Sequence, residues 1–148
     1  MILKIKPMKL EDLEAVLEIE EKCFLLPWSK ASFLHELLEN ERAYYYVAVG
    51  DKRILGYIGM WIILDEGHIT NLAVHPDYRR QGVGRALLKN LAFEGKKMGL
   101  NYLTLEVRIS NFSAQTLYKE EGFAAAGVRP GYYQDNQEDA LIMWKGPL

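Results

Sequence analysis

The sequence predicts a mixed α/β fold, and three observations lead to this prediction. Apolar residues recur at helical spacing near the start, runs of β-forming residues separated by turn signals fill the middle, and strands alternate with helices in the second half. The 148 residues are enough for one domain with a sizeable core, which we expect to span residues 1–148.

The first forty residues predict one short strand and two helices. Apolar residues alternate with lysines up to Pro7, which indicates a strand that the proline stops. The segment Leu10–Lys22 has apolar residues three and four positions apart and therefore predicts an amphipathic helix. Ser29 is a favourable N-cap for a second helix, which we expect to continue through Asn40.

The middle of the chain predicts three strands joined by tight turns. The strands are Tyr44–Val49, Ile54–Leu64 and His68–Val74. Short turns rich in glycine, aspartate and lysine separate them, and such turns join antiparallel neighbours. We therefore expect an antiparallel meander.

The second half predicts alternating helices and strands. A helix that starts near Ala86 should end near Gly99, and a strand follows at Tyr102–Val107. The next helix covers Asn111–Glu121, with a glycine directly after it as a stop signal. Two further strands, 123–128 and 140–145, complete the pattern, and the last should return along the sheet.

Composition indicates which partners and which cellular compartment to expect for the protein. The net charge of −2 gives no global attraction to nucleic acid, so we expect no direct nucleic-acid partner. The single cysteine, Cys23, excludes an internal disulfide and fits a reducing compartment. The first residues lack the pattern of a signal peptide, and no run is long enough to cross a bilayer. We therefore expect a cytoplasmic protein that does not bind membranes.

The most informative segment is Arg79–Ala86, with the sequence RRQGVGRA, between the end of a predicted strand and the start of a helix. A helix N-terminus has unpaired N–H groups and a partial positive charge, and glycine lets backbone approach an anion closely. The three arginines of the segment add formal charge. The segment therefore predicts a site for a phosphate-bearing cofactor.

Two common phosphate-binding loops fit this segment poorly. A P-loop needs a lysine and a hydroxyl residue after its second glycine, and neither is present. A dinucleotide fingerprint needs three glycines directly after a strand and an acidic residue about twenty positions later. Gly82, Gly84 and Glu106 match parts of it, but Leu87 stands where the third glycine is needed.

The segment and its surroundings resemble the GNAT superfamily of N-acetyltransferases. The matching motifs are Asn71–Pro76, Arg79-x-x-Gly82-x-Gly84, Leu105–Arg108, Ser110-Asn111 and Ala114–Phe123. Further motifs resemble the RimI branch of that superfamily, namely Leu26–Ser29, Tyr132-Tyr133 and Glu138–Met143. The resemblance covers nearly the whole chain in the right order. It implies the GNAT fold, with a mixed, mostly antiparallel central sheet of six to seven strands and about four helices.

The resemblance implies acetyl-coenzyme A as cosubstrate and no metal. The pyrophosphate would lie on the amides of the glycine turn, and the pantetheine arm would pair with the backbone of the preceding strand. The sequence of that strand is also typical of a strand that is simply buried in the sheet. The implied cofactor-binding residues are Leu72, Ala73, Val74, Arg79, Arg80, Gln81, Gly82, Val83, Gly84, Arg85 and Asn111.

Glu106 is the candidate general base. An acid in the otherwise apolar strand Tyr102–Val107 either faces solvent or serves chemistry, and the pattern alone leaves both open. The resemblance favours catalysis. An α-amine, with a pKa of about 7.7–8.0, needs less help to lose its proton than a lysine amine near 10.4. A carboxylate acting directly or through water would therefore serve an α-amine well.

Tyr118 is the candidate general acid. A phenol stays protonated at neutral pH and can give its proton to the departing thiolate. Asn111 lies seven positions earlier, about two helical turns, so both should face one side of a helix. The structural alternative is that Tyr118 is a core aromatic and Asn111 an N-cap. Backbone N–H groups near Val74 would polarise the thioester carbonyl.

The resemblance also implies an acceptor. Trp28, Tyr132 and Tyr133 would line its groove. The RimI branch acetylates the N-terminal amine of ribosomal proteins, such as the alanine of ribosomal protein S18, by direct attack in a ternary complex. Two alternatives stay open: the same chemistry on a lysine, polyamine or small-molecule amine, and a coenzyme A-binding module without turnover. The sequence does not specify an oligomeric state.

Overall fold

The computed structural model describes residues 1–148 and contains four α-helices around one sheet. The strands are β1 (Lys4–Pro7), β2 (Ala43–Gly50), β3 (Arg53–Ile63), β4 (Glu66–Val74), β5 (Tyr102–Arg108), β6 (Ala124–Arg129) and β7 (Ala140–Lys145). The helices are α1 (Leu13–Cys23), α2 (Lys30–Leu38), α3 (Val83–Lys97) and α4 (Phe112–Glu120). The predicted number of strands and helices is confirmed.

The seven strands follow the order β1-β2-β3-β4-β5-β7-β6. Strands β2, β3 and β4 form the predicted antiparallel meander. The connection through α3 makes β5 parallel to β4, and β7 inserts between β5 and β6 as an antiparallel neighbour of both. The sheet is therefore mixed, with a single parallel pair in its middle.

The parallel pair is short, and this opens the sheet. Only Glu66–His68 pairs with Tyr102–Thr104, so β4 and β5 separate beyond these residues. A register shift at Gly59/Met60 of β3 leaves Thr70 of β4 without a partner. Such a bulge bends its strand and increases its twist. The result is an opening between the carboxyl-terminal halves of β4 and β5, called the β4–β5 opening below.

A buried polar chain runs under the bulge from α1 to α2. Hydrogen bonds join Glu20, Tyr57, Asn71 and Thr70 in one part of it and Tyr45 and Glu36 in the other. The two parts meet where the Tyr45 and Thr70 hydroxyl oxygens lie 3.3 Å apart, each hydroxyl donating its hydrogen elsewhere. Tyr57 donates to Glu20 and accepts from Asn71, which in turn accepts from Thr70 at 2.7 Å. Burial raises the pKa of Glu20, although the bonds from Tyr57 and from the Trp28 amide act against this shift. Both bulge residues, Thr70 and Asn71, are therefore held by side-chain contacts.

The two faces of the sheet have separate apolar cores. On one face α3 packs Leu87, Leu88 and Leu91 against β2 to β5. On the other face α1 and α2 enclose a second core, whose centre is Phe33 in edge-to-face contact with Tyr57, with ring centroids 5.7 Å apart. The main strand contacts of these two helices are with β2, β3 and β4, so their principal packing does not extend to β5 and β7. None of the four helices combines the length and hydropathy that crossing a membrane requires.

Helix starts differ from the sequence prediction at two places. The turn Leu10–Asp12 is a 3-10 helix, and α1 begins only at Leu13. Helix α3 begins at Val83, earlier than the predicted start near Ala86, because Gly82 takes a left-handed φ of +82° and caps it. The second half of the glycine segment is therefore the first turn of α3.

Other helix ends agree closely with the sequence. Ser29 caps α2 as predicted, since its hydroxyl accepts from the Ser32 amide at 3.1 Å, although α2 ends at Leu38 and not at Asn40. Gly99 and Gly122 follow α3 and α4 with φ of +89° and +94°. Left-handed glycines of this kind end helices.

We predict that Gly56→Ala weakens the junction between β3, β4 and α3. An added Cβ would lie 2.7 Å from the Ala73 carbonyl oxygen, so backbone must shift. We expect a loss of about 1–3 kcal/mol in the free energy of unfolding. The control is Gly127→Ala in β6, where the added Cβ meets only Ile142 at 3.8 Å. Urea denaturation of both variants measures the difference, and equal losses would contradict the prediction.

Candidate active site

The glycine segment ends at the β4–β5 opening with its amides unpaired. The first helical hydrogen bond of α3 runs from the Ala86 amide to the Gly82 carbonyl at 3.0 Å. The amides of Val83, Gly84 and Arg85 donate to no other backbone or side-chain group. Unpaired amides at a helix start form an anion-binding surface.

Gly84 sets how closely α3 approaches its neighbours. A Cβ at this position would lie 3.3 Å from Leu117 of α4 and 3.7 Å from Val74 at the end of β4. The start of α3 therefore packs directly on both elements that border the opening.

The arginines of the segment have different partners. The Arg79 guanidinium donates to the Val74 carbonyl at 3.3 Å and to the Cys23 sulfur at 3.3 Å. Arg80 is exposed and forms no ion pair. The expectation that the Arg85 side chain adds charge to the anion site is wrong, because this side chain has other partners.

The Arg85 guanidinium turns away from the segment and binds two acidic residues of the α4 end. It pairs with Glu120 at 2.6 Å and with Glu121 at 2.5 Å. The Arg85 side chain therefore forms ion pairs that link α3 to the end of α4, and only its backbone amide remains available to the anion site.

One edge of β4 is free to bind a peptide-like arm. The His75 amide donates to the Leu55 carbonyl of β3 at 2.7 Å. Backbone groups alternate in direction along a strand, so those of the residue two positions before His75 also point to β3. The amides of Leu72 and Val74 consequently point to the β4–β5 opening. Ala73 is buried and small, which keeps this edge accessible.

Glu106 lies on β5 with its side chain on the face opposite α3. Leu103, Leu105 and Val107 are buried towards α3, and strand alternation turns Glu106 the other way. Its side chain is 26% exposed and accepts a hydrogen bond from Arg129 Nε at 3.1 Å. The structure thus places a partly accessible acidic side chain on β5, beside the opening.

Tyr118 is half-buried on α4. Its ring packs on Phe123, with centroids 5.9 Å apart, and its hydroxyl has no hydrogen-bond partner within the protein. Burial raises the pKa of this phenol to about 12, so it is protonated across the neutral range. Asn111 caps α4, with its side-chain oxygen accepting from the Ala114 amide at 3.2 Å, so the N-cap alternative is confirmed for this residue.

Tyr132 and Tyr133 lie in the loop between β6 and β7. Their rings stand perpendicular, with centroids 5.1 Å apart. Burial raises the pKa of Tyr133, the charge of Arg108 acts against this, and negative charge at Glu106 and Tyr118 contributes to the rise. Tyr132 and Tyr133 thus form one cluster with Arg108.

Arg108 holds the loop that carries the two tyrosines, a role that the sequence argument missed. Its guanidinium lies 4.0 Å from the centre of the Tyr133 ring and pairs with Asp135 at 2.7 Å and Glu138 at 3.3 Å. Its position two residues after Glu106 places both side chains on one face of β5, and this spacing is the signal that could have identified it.

Trp28 lies apart from this cluster. Its ring packs on Phe33 of α2, with centroids 5.3 Å apart, and its amide donates to Glu20 at 3.0 Å. No ring contact joins it to the Tyr132–Tyr133 pair. The three residues predicted for the acceptor groove thus occupy two separate places, one beside α2 and one after β6.

Comparison with known proteins agrees with this geometry. The profile of the acetyltransferase (GNAT) family matches residues 13–123. The [ribosomal protein bS18]-alanine N-acetyltransferase of Escherichia coli K12 is 39% identical over 141 residues, 94% of each chain. A Bacillus subtilis protein, to which the same activity is provisionally ascribed by name, is 48% identical over 140 residues, covering 95% of this chain and 93% of the relative.

Solved structures give the same result. The crystal structure of the ribosomal-protein-S18-alanine N-acetyltransferase from Escherichia coli superposes with a TM-score of 0.90 at 37% identity, covering 99% of this chain and 94% of that one. Ard1 from Thermoplasma volcanium superposes with a TM-score of 0.86 at 28% identity, covering 99% and 98%. Sequence motifs, sheet topology and relatives all agree. The chain therefore belongs to the acetyltransferase (GNAT) family and is an acetyl-CoA-dependent N-acetyltransferase of the RimI type.

Proposed function

We propose that this enzyme transfers acetyl to the α-amine of a protein N-terminus, with the N-terminal alanine of ribosomal protein bS18 as acceptor. The observation that carries the proposal is the near full-length match to the Escherichia coli enzyme named for this reaction. The enzyme would then meet its ribosomal acceptor in the cytoplasm. It would act as a single domain. The free cysteine fits that compartment.

The donor site is proposed to hold acetyl-CoA mainly by backbone. The amides of Val83, Gly84 and Arg85 suit the pyrophosphate, and the free edge of Leu72 and Val74 suits the amide-rich pantetheine arm. The remaining candidates for the donor site are Ala73, Arg79, Arg80, Gln81, Gly82 and Asn111.

Glu106 is proposed as the general base, directly or through one water. It would take the proton of the α-ammonium before or during attack, and the amine nitrogen would form a bond to the thioester carbonyl carbon. Arg129 Nε lies 3.1 Å from Glu106 Oε1 and holds the carboxylate in place beside the proposed amine site. Since an α-amine has a pKa of about 7.7–8.0, a carboxylate is a sufficient base.

Tyr118 is proposed as the general acid. When the carbon–sulfur bond breaks, the phenol gives its proton to the thiolate and regains one from solvent. Its hydroxyl is free of protein partners, so the hydrogen is available to the sulfur. The amide of Val74 would stabilise negative charge on the carbonyl oxygen.

Arg108 is proposed as a positioning residue. It fixes Tyr133 and the acidic residues Asp135 and Glu138, and Glu138 also accepts from the Ser110 amide at 2.8 Å. The loop after β6 is thereby tied to the end of the strand that carries Glu106. Acceptor binding should depend on this tie more than donor binding does.

An acceptor panel tests the proposed function. Mass spectrometry should detect acetylation of a peptide that begins with alanine at a rate at least a hundredfold above that of the same peptide with a blocked N-terminus and one internal lysine, or of spermidine. The control is Glu106→Gln, which should lose turnover with the alanine peptide. Faster acetylation of the lysine peptide or of the polyamine would overturn the proposal.

We predict that Tyr118→Phe lowers kcat by about a hundredfold, since general acids contribute on this scale. Because the pKa of Tyr118 is raised to about 12, the phenol is protonated throughout pH 6–9. The loss should therefore be the same at every pH in that range, with the KM for acetyl-CoA nearly unchanged. Steady-state kinetics across pH measures this, and a loss that shrinks at low pH would exclude the role.

We predict that Arg108→Met raises the KM for the acceptor peptide about tenfold and leaves the KM for acetyl-CoA within about twofold. The methionine keeps the apolar stem but removes the cation from Tyr133, Asp135 and Glu138. The control is Lys97→Met, which removes an exposed lysine from the far end of α3. Equal changes in both KM values would indicate a general loss of structure instead.

A further inference from the structure

Glu36 on α2 is a buried carboxylate without a cation. Its exposed fraction is 4%, and it accepts from three neutral donors. These are the Tyr45 hydroxyl at 2.9 Å, the Asn40 amide nitrogen at 2.7 Å and the Trp61 indole nitrogen at 2.5 Å. No lysine, arginine or histidine nitrogen lies within ion-pair distance. Buried carboxylates are usually paired with a cation, so this arrangement is unusual.

Glu36 lines a cavity of about 490 Å³ between α2 and the end of β3, called the α2 pocket below. Trp28 and Trp61 both line it, and Trp61 is 39% exposed. His35, at the rim, does not pair with Glu36, since its Nδ1 binds Glu39 at 2.8 Å. The pocket thus offers two indole side chains and one carboxyl group that pairs with no cation of the protein.

This combination suits a cation with an apolar stem. Indole faces attract lysine and arginine side chains, more strongly where water is excluded. A planar guanidinium can stack on an indole and still donate to a carboxylate. A neutral or anionic group would leave the carboxyl group of Glu36 without a cation.

The α2 pocket lies on the same face of the sheet as Glu106. Trp61 is the neighbour of His68 in β4, and His68 is the neighbour of Thr104 in β5, two residues before Glu106. Two strand spacings and two residues along a strand give a separation of about 12 Å. An extended chain advances about 3.3–3.6 Å per residue, so three to four residues bridge this distance. The principal contacts of α1 and α2 on this face are with β2, β3 and β4 and not with β5.

We infer that the α2 pocket binds a lysine or arginine side chain at the third to fifth residue of the acceptor polypeptide. This inference rests on the proposed function, because it takes the reacting amine to be the N-terminus held beside Glu106. The pocket gives the enzyme a preference for basic N-terminal segments, and Glu36, Trp28 and Trp61 determine it.

The test uses peptides that begin with alanine and carry one arginine at position 2, 3, 4 or 5, each compared with citrulline at the same position. Citrulline has nearly the shape of arginine but no charge. For the wild-type enzyme we expect kcat/KM to fall about tenfold on this exchange at one of positions 3 to 5, and less than twofold at position 2. In the Glu36→Gln enzyme, the ratio of kcat/KM for the arginine peptide to kcat/KM for the citrulline peptide should drop below about twofold. The matched control is Glu21→Gln, which removes an exposed carboxylate from α1 and should keep the wild-type ratio.

A second measurement is independent of turnover and of the fold of the variant. Calorimetric titration of wild-type enzyme with the N-acetylated arginine and citrulline peptides should show about tenfold weaker binding of the citrulline form. Equal rates and equal binding of the two peptide forms would overturn the inference while leaving the proposed function intact. A preference that Glu36→Gln retains in full would also overturn it. If no peptide is acetylated at its N-terminus, the proposed function fails, and equal binding of the two product peptides would then reject the pocket as well.

Discussion

The limited pairing of β4 with β5 is the constraint on which the rest of this structure depends. Three residues of each strand pair, and the bulge at Thr70 then turns β4 away. A fully paired sheet would use the free edge of Leu72 and Val74 in its own ladder and would leave no passage between its two faces. Because the strands part, the start of α3 packs beside the end of β4, and Glu106 stands on the strand across the opening. The proposed catalytic site, with Tyr118 on α4, depends on this separation.

The two proposed binding sites would recognise their ligands by different means. The proposed donor site consists mostly of backbone amides near Gly82 and Gly84, so it would ask little of side-chain identity. The acceptor side consists of side chains that are held by other side chains, as Arg108 holds Tyr133. This difference explains why one fold serves many acceptors with a common donor, since the acceptor side can change without disturbing the backbone of the other.

The sequence allowed most of the fold to be predicted, because its strongest signals are local. Helical periodicity, the Ser29 cap and the stop glycines depend on neighbouring residues, and the structure agrees with them. The glycine segment was located correctly, but the start of α3 was not, since a left-handed Gly82 brings Val83 into the helix. The partner of Arg85 could not be foreseen, because Glu120 and Glu121 are 35 and 36 residues away in sequence. The tie made by Arg108 and the lack of a cation beside Glu36 likewise depend on contacts between distant segments.

The polar chain beneath the bulge has a consequence for how such an enzyme can diversify. Glu36 at one end of the chain lines the α2 pocket, while Thr70 and Asn71 near its middle form the bend that parts the strands. The inferred acceptor pocket and the bend are therefore neighbours, in contact where the Tyr45 and Thr70 hydroxyls meet. We expect that replacing Glu36 would disturb Tyr45, which donates to it, and with Tyr45 the bend, so new acceptors should be reached through the exposed residues around the pocket before its buried carboxylate changes.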